Sequence, residues 1–295
     1  MSQPPPIPTP GTLFSFGLGY SAMALSRRLD TGGWDIRGTC RDAGRQRALL
    51  ALGIRAALFD GTAPMDPPEV LDGVTHVLLS IPPGDGGDPA YQHHAEQIAA
   101  TESVNWVGYL STTGVYGNRD GGWVDETSDL RPSSPRSERR VDAERAWLDW
   151  GDRHGIATQV FRLAGIYGPG RSVADQIKAG TARRISKPGH LFSRIHVEDI
   201  ATVLAASISN PEPSGIYNVC DDEPAAPTDV LAYVCELLSI APPPLIPFEE
   251  AEISPMGKTF WADNRRVRNH RIKSDLGVVL AFPDYRIGMR AVLGI

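Results

Sequence analysis

The sequence predicts an α/β protein organised as a parallel sheet with crossover helices. Three observations carry this. Short apolar, strand-like runs alternate with helical patterns from residue 13 to residue 163. A glycine-rich turn falls between the first such strand and the first such helix. A chain of 295 residues, 41% of them hydrophobic, can also bury the core that such a fold needs.

The elements follow in order. Residues 13–16 (Leu-Phe-Ser-Phe) are short and apolar and read as the first strand. Residues 21–29 open a helix, and 34–39 form the second strand. Residues 43–52 are helical, and 54–59 make the third strand. Residues 76–81 are the fourth, stopped by Pro82-Pro83-Gly84. Residues 90–101 are helical and 106–111 are the fifth strand. Residues 137–154 form a long helix with Trp147 and Trp150 near its end, and 158–163 are a sixth strand. After Gly165 proline and glycine interrupt shorter elements, which fits a smaller lobe with long connections.

Composition excludes several classes. A net charge of −6 and a pI near 5.7 argue against a nucleic-acid partner. No apolar run reaches the roughly 18–20 residues of a membrane span. The proline-rich start, residues 1–10, lacks the charged and apolar regions of a secretory signal and is expected to be a disordered tail. Three widely spaced cysteines, Cys40, Cys220 and Cys235, suit neither a disulfide framework nor a metal site, and a reducing cytoplasm is expected.

The segment Gly17-Leu18-Gly19-Tyr20-Ser21-Ala22 is G-x-G-x-x-A between strand and helix. Gly17 permits a tight turn, Gly19 lets backbone approach a pyrophosphate, and Ala22 allows close helix–strand packing. The helix N-terminus offers N–H groups to the anion. The expected cofactor is a nicotinamide dinucleotide. At the tip of the second strand an acidic residue would suit the ribose hydroxyls of NAD. Thr39 and Arg41 stand there instead, with Arg45 and Arg47 following, and arginine suits the 2′-phosphate of NADP. NADP is therefore expected over NAD. A solvated helix start, with Asp42 as its cap, explains the same residues without a ligand.

Two segments, Leu110-Ser111-Thr112-Thr113-Gly114-Val115-Tyr116-Gly117 and Arg162-Leu163-Ala164-Gly165-Ile166-Tyr167-Gly168-Pro169-Gly170-Arg171, resemble the extended short-chain dehydrogenase/reductase family, in its NAD-dependent epimerase/dehydratase-like branch. The resemblance implies a Rossmann-type doubly wound parallel sheet with a smaller, discontinuous C-terminal α/β lobe. Residues 11–164 plus 194–221 would form the NAD(P)-binding domain, and 165–193 plus 222–295 the substrate lobe. It places Asp60 near the adenine, Ser80, Ile81 and Pro82 beside the cofactor, and Thr112 on a substrate oxygen. Thr113 and Arg171 would meet substrate.

The resemblance also exposes a departure. The family does its acid–base work with Tyr-x-x-x-Lys, and the matching positions here are Arg136 and Arg140. No tyrosine in the chain is followed four residues later by lysine. Arginine holds its proton above a pKa of about 12 and cannot act as the acid, although Arg140 could supply the charge of the missing lysine. A solvated helix face, with Arg140 and Glu144 as an (i, i+4) pair, is the plain alternative. Tyr116, Tyr167, His94 and His196 are other proton donors in principle. Tyr167 and His196 belong to structural motifs of the family, and the pair His93-His94 reads as a surface feature. The Thr-Asp-Glu of the family's sugar dehydratases is replaced by Thr112-Thr113-Gly114, which excludes water elimination of that type.

The expected activity is an NAD(P)-dependent oxidoreductase or epimerase acting on a small molecule. The alternative is an NADP-binding regulatory or scaffold protein without turnover. Later arginines, Arg183, Arg184, Arg194, Arg265, Arg266 and Arg268, could bind a phosphate or carboxylate, although ordinary surface charge is the commoner explanation of any single one. Family members pair through the helices matching 90–101 and 137–152, so a homodimer is an expectation. Trp147 and Trp150 fit such a face, and they fit a core equally.

Overall fold

The computed structural model describes residues 8–211 and 214–295. The first half alternates as read from the sequence: β1 (Thr12–Phe16), α1 (Tyr20–Asp30), β2 (Asp35–Cys40), α2 (Ala43–Leu50), β3 (Arg55–Leu58), β4 (His76–Leu79), α3 (Pro89–Ala100) and β5 (Trp106–Thr112). A short β6 (Trp123–Val124) precedes α4 (Pro135–His154) and β7 (Ala157–Leu163). Then come β8 (Gly165–Tyr167), α5 (Val173–Lys178), β9 (Arg184–Ser186), β10 (Arg194–His196), α6 (Val197–Ser209) and β11 (Gly215–Val219). The chain closes with α7 (Pro227–Leu237), β12 (Leu245–Pro247), α8 (Pro255–Ala262), β13 (Arg266–Val267), α9 (His270–Ser274) and α10 (Tyr285–Leu293).

One seven-stranded parallel sheet, ordered β11-β7-β5-β4-β1-β2-β3, carries the fold. The chain runs outward from β1 to β3, then returns and runs outward the other way from β4. The direction reverses between β1 and β4, and in open parallel sheets ligands bind at the carboxyl ends beside such a switch. Near-continuous apolar strands such as His76–Leu79 are what a sheet buried on both faces requires. One face is covered by α1 and α6, whose Leu25, Leu29, Ile200 and Leu204 are fully buried. The other is covered by α3 and α4 through Ile98, Trp147 and Trp150. Three two-stranded pairs, β8–β10, β9–β12 and β6–β13, lie outside the main sheet.

Several expectations are corrected by packing. Trp147 and Trp150 belong to the core, with ring centroids 5.3 Å apart, and offer no face to a partner. His94 is buried as well. It packs against Phe16 and Phe59 and accepts the Met65 N–H at 3.2 Å, so it is not a surface feature. Of the proline-rich start, residues 1–7 lie outside the described residues. Pro8 is buried and its carbonyl accepts Trp34 Nε1–H at 3.1 Å. Ile272, Leu276, Val278 and Leu280, from the stretch that the family resemblance assigned to the smaller lobe, lie in the core on the α1–α6 side. Among the described residues no helix is long and apolar enough to cross a membrane, and no cluster of His, Cys, Asp and Glu could hold a metal ion.

Candidate active site

The turn after β1 is built by close approach. Gly17 has φ +89°, a conformation that favours glycine. Its N–H donates to Thr39 Oγ1 at 2.8 Å, and the Leu18 N–H donates to the Thr39 carbonyl at 2.9 Å. Thr39 is thus fully buried and spent on holding the glycine turn, not displayed to a ribose as its position suggested. Gly38, which sequence reading passed over, is needed for the same contact: a Cβ there would lie 2.3 Å from the Ser15 carbonyl oxygen. Leu18 and Ala22 are buried against the sheet.

Gly19 differs. A Cβ on it would meet nothing within 4 Å, and α1 starts at this residue without a side-chain cap. Open space and an uncapped helix N-terminus are what a pyrophosphate requires. Tyr20 reaches from the same turn to the Pro169 carbonyl, Oη to O 3.0 Å, under the Arg171 guanidinium at 5.7 Å from its ring.

At the tip of β2, Arg41 is exposed and has no partner among the described residues. Arg45 bends back to the glycine turn and donates to the Leu18 carbonyl at 3.2 Å. Asp42 caps α2 by accepting the Arg45 N–H at 2.8 Å. Asp60 accepts both the N–H and the hydroxyl of Thr62, the work of a turn aspartate, and these bonds hold its carboxyl below the usual range. At the end of β4, Ser80 lines the cleft described next, Ile81 packs beside Gly17, and Pro82 is exposed.

A cleft of about 850 Å³ runs from Gly19 and Tyr20 past the end of β5 into the outer elements. It brings together Ser80, Thr112, Thr113, Arg136, Arg140 and Arg171, residues spread from position 80 to position 171 of the sequence. Thr112 Oγ1 accepts the Gly114 N–H at 3.1 Å and stays partly open. Thr113 is buried in the short helical turn that follows. A Cβ on Gly114 would sit 3.3 Å from both Thr112 Oγ1 and Ser137 Oγ. The first turn of α4 therefore lies against the strand end that carries Thr112, and Arg136 stands in that turn, exposed.

Arg140 is not on a solvated face. It is buried, and Nη1 donates to Tyr109 Oη at 3.1 Å and to the Leu110 carbonyl at 2.5 Å. Nor does it pair with Glu144. That carboxylate belongs to Arg162, Nη2 to Oε2 2.7 Å, and also accepts from Ser111 Oγ. Arg162 in turn donates to Tyr116 Oη at 2.9 Å, and Tyr116 donates to Asn218 Oδ1 at 2.7 Å. Arg139 pairs with Asp85.

None of the other donors considered is tuned for neutral pH. Burial pushes the Tyr116 phenol up to about 12 against the pull of Arg162, and burial raises Tyr167 further. His196 is lowered to about 4 by burial, and burial lowers His94 too. The cleft can thus hold and orient a ligand, polarise an oxygen at Thr112, and supply positive charge. Two tyrosines line it, Tyr20 and Tyr167, and burial raises both phenols above their usual range.

The sheet, the glycine turn and the strand-end threonine define a class: the extended short-chain dehydrogenase/reductase fold. The sequence profile of the NAD dependent epimerase/dehydratase family matches residues 95–220. A functionally unknown conserved protein from Silicibacter pomeroyi DSS is 50% identical, with a TM-score of 0.89 over 96% of this chain and 98% of that one. Protein YeeZ of Escherichia coli K12 is 26% identical over 279 residues, 91% of this chain and 95% of that protein. MoeE5, solved with UDP-glucuronic acid and NAD, shares the fold at 19% identity, with a TM-score of 0.76 over 95% and 96% of the two chains. The chain belongs to the NAD dependent epimerase/dehydratase family.

Proposed function

We propose that the protein holds NADP at the β1–α1 turn and acts as an oxidoreductase or epimerase on a small molecule in the adjoining cleft. The observation that carries this is the continuity of the cleft: open space over Gly19 at an uncapped helix start leads to Thr112, Arg136 and Arg140. A nicotinamide ring supplies hydride exchange when bound. Gly17 and Gly19 would let the backbone meet the pyrophosphate, and Ser80 and Ile81 would flank the cofactor. Arg140, held by Leu110 and Tyr109, would place fixed charge where the family has lysine. Thr112 would orient the reacting oxygen. The unpaired Arg41, with Arg45 beside the glycine turn, favours the 2′-phosphate of NADP.

A second reading, NADP binding without turnover, is favoured by one observation: Arg136 cannot exchange a proton near neutral pH. Calorimetric titration of the full chain with NADP and NAD tests the cofactor. NADP is expected to bind more tightly, and binding of neither would overturn both readings. Assays with generic alcohols and carbonyls at pH 7 should show little turnover. A true substrate would have to handle the proton itself, and its pH–rate profile should lack the rising limb of an activated tyrosine.

A further inference from the structure

Six arginines line the one cleft: Arg136, Arg140, Arg171, Arg183, Arg194 and Arg265. The chain as a whole carries a net charge of −6, so this is a local concentration against the general sign. The two aspartates in the lining do not neutralise it. Asp175 is spent on the cap of α5 with Ser172, and Asp263 on Arg265 at 2.9 Å and Ser133 at 2.9 Å. The other five arginines have no carboxylate within 4.0 Å among the described residues.

Their surroundings keep that charge intact. Arg140 is buried, and Arg194 donates to the Phe192 and Ala225 carbonyls, each at 3.1 Å. Carbonyl oxygens orient a guanidinium without cancelling its charge, and charge withdrawn from water calls for an opposite charge. Arg136 is exposed rather than buried, and its position argues differently. It has no hydrogen bond or ion pair among the described residues, and it stands in the first turn of α4, where the helix dipole already presents positive potential. A cation there is unfavourable until an anion joins it. Arg136 also lies beside the Thr112 strand end, through the Ser137–Gly114–Thr112 contact.

We propose that the cleft takes a substrate with an oxyanion, carboxylate or phosphate, near its reacting end, and that Arg136 is the residue that binds it. The word substrate rests on the redox reading above, whereas the anion site does not. An arginine at the tyrosine position then has a positive role: it exchanges proton transfer for recognition of a charged group through a bidentate contact.

The test uses the full chain at saturating NADP, so that the glycine turn is filled. Oxalate and inorganic phosphate are titrated by calorimetry into the parent protein, Arg136→Gln and Arg136→Lys. The parent is expected to bind at least one of them. Arg136→Gln should weaken that binding at least tenfold, Arg136→Lys should weaken it less, and the melting temperature of Arg136→Gln without anion should not fall, because the lost charge opposes the α4 dipole. Oxalate alone binding identifies a carboxylate, and phosphate alone a phosphate. Failure of both to bind, or equal binding by Arg136→Gln, would overturn the proposal. The NADP titration reads the cofactor assignment separately: Arg136-dependent anion binding without NADP binding would sink that assignment and leave the anion site standing.

Discussion

Gly19 and Arg41 are the two residues at which the cofactor assignment can be broken singly. Because a Cβ on Gly19 meets nothing within 4 Å, Gly19→Val should leave the fold intact while filling the space over the α1 N-terminus. NADP binding followed by fluorescence or calorimetry is expected to disappear with little change in melting temperature, and undiminished binding would be fatal to the assignment. Arg41 carries no structural bond, so Arg41→Ala should be neutral for stability. If it meets the 2′-phosphate, the contact is worth about 1.5–3 kcal/mol, or roughly tenfold or more in affinity. The NADP-over-NAD preference should shrink by that factor, provided Arg45 does not replace the contact. Thr39 shows the limit of reading such a strand tip by position. Its place at the tip of β2 made it a cofactor candidate, and its hydroxyl instead holds the Gly17 N–H.

Among the elements, α4 joins the cleft to the core. Its N-terminal turn presents Arg136, its second turn buries Arg140, and its third carries Glu144 into the network with Arg162, Ser111 and Tyr116. The Glu144–Arg162 pair is almost wholly buried, with side-chain exposures of 2% and 3%. Removing one partner leaves an uncompensated buried charge, a loss of about 3–5 kcal/mol. Glu144→Ala should therefore lower the urea midpoint strongly, and a change below about 1 kcal/mol would show that Arg162 finds another partner or water. The same helix shows why the surface alternative fails for its charge pattern. Arg140 and Glu144 are spaced for an (i, i+4) pair, yet each is claimed by a different strand: Arg140 by the β5 carbonyl of Leu110, Glu144 by Arg162 of β7.

For the whole molecule, burial of ionisable groups sets a pH dependence. Asp221 is buried and its carboxyl is raised to about 8 by burial, with nearby Arg194 opposing. A carboxyl whose folded pKa lies above its unfolded value of 3.8 holds a proton in the fold that the unfolded chain has lost. Its contribution is fully present below pH 3.8 and is lost as pH rises through about 8. His76, His190 and His196, each lowered to about 4 by burial, act oppositely: their contribution is lost as pH falls from 6.5 toward about 4. At pH 6.5 each of them is still about half protonated in the unfolded chain, and only about one unit higher are they essentially neutral in both states, so Asp221 dominates above about pH 7.5. Stability should fall as pH rises from about 7.5 through about 8, by at most about 1.4 kcal/mol per pH unit for one group. Asp221→Asn should flatten the decline in thermal melts, and an unchanged slope would assign it to other groups.

The chain order of strands and helices, the β1–α1 turn and the threonine at the end of β5 were determined by the sequence itself. Their signals are local: apolar runs bounded by glycine and proline, and a G-x-G-x-x-A between strand and helix, act over a few residues and survive whatever packs on them. The reversal of direction at β1 and β4, the burial of His94, Trp147 and Arg140, and the capture of Thr39 by the glycine turn were decided only by tertiary structure. So was the meeting of Arg136, Arg171, Arg194 and Arg265 in one cleft. Whether an arginine solvates, pairs or faces a ligand depends on which carbonyls and carboxylates are folded against it. At Arg140 and Arg265 those partners, Leu110 and Gly117, are 30 and 148 residues away.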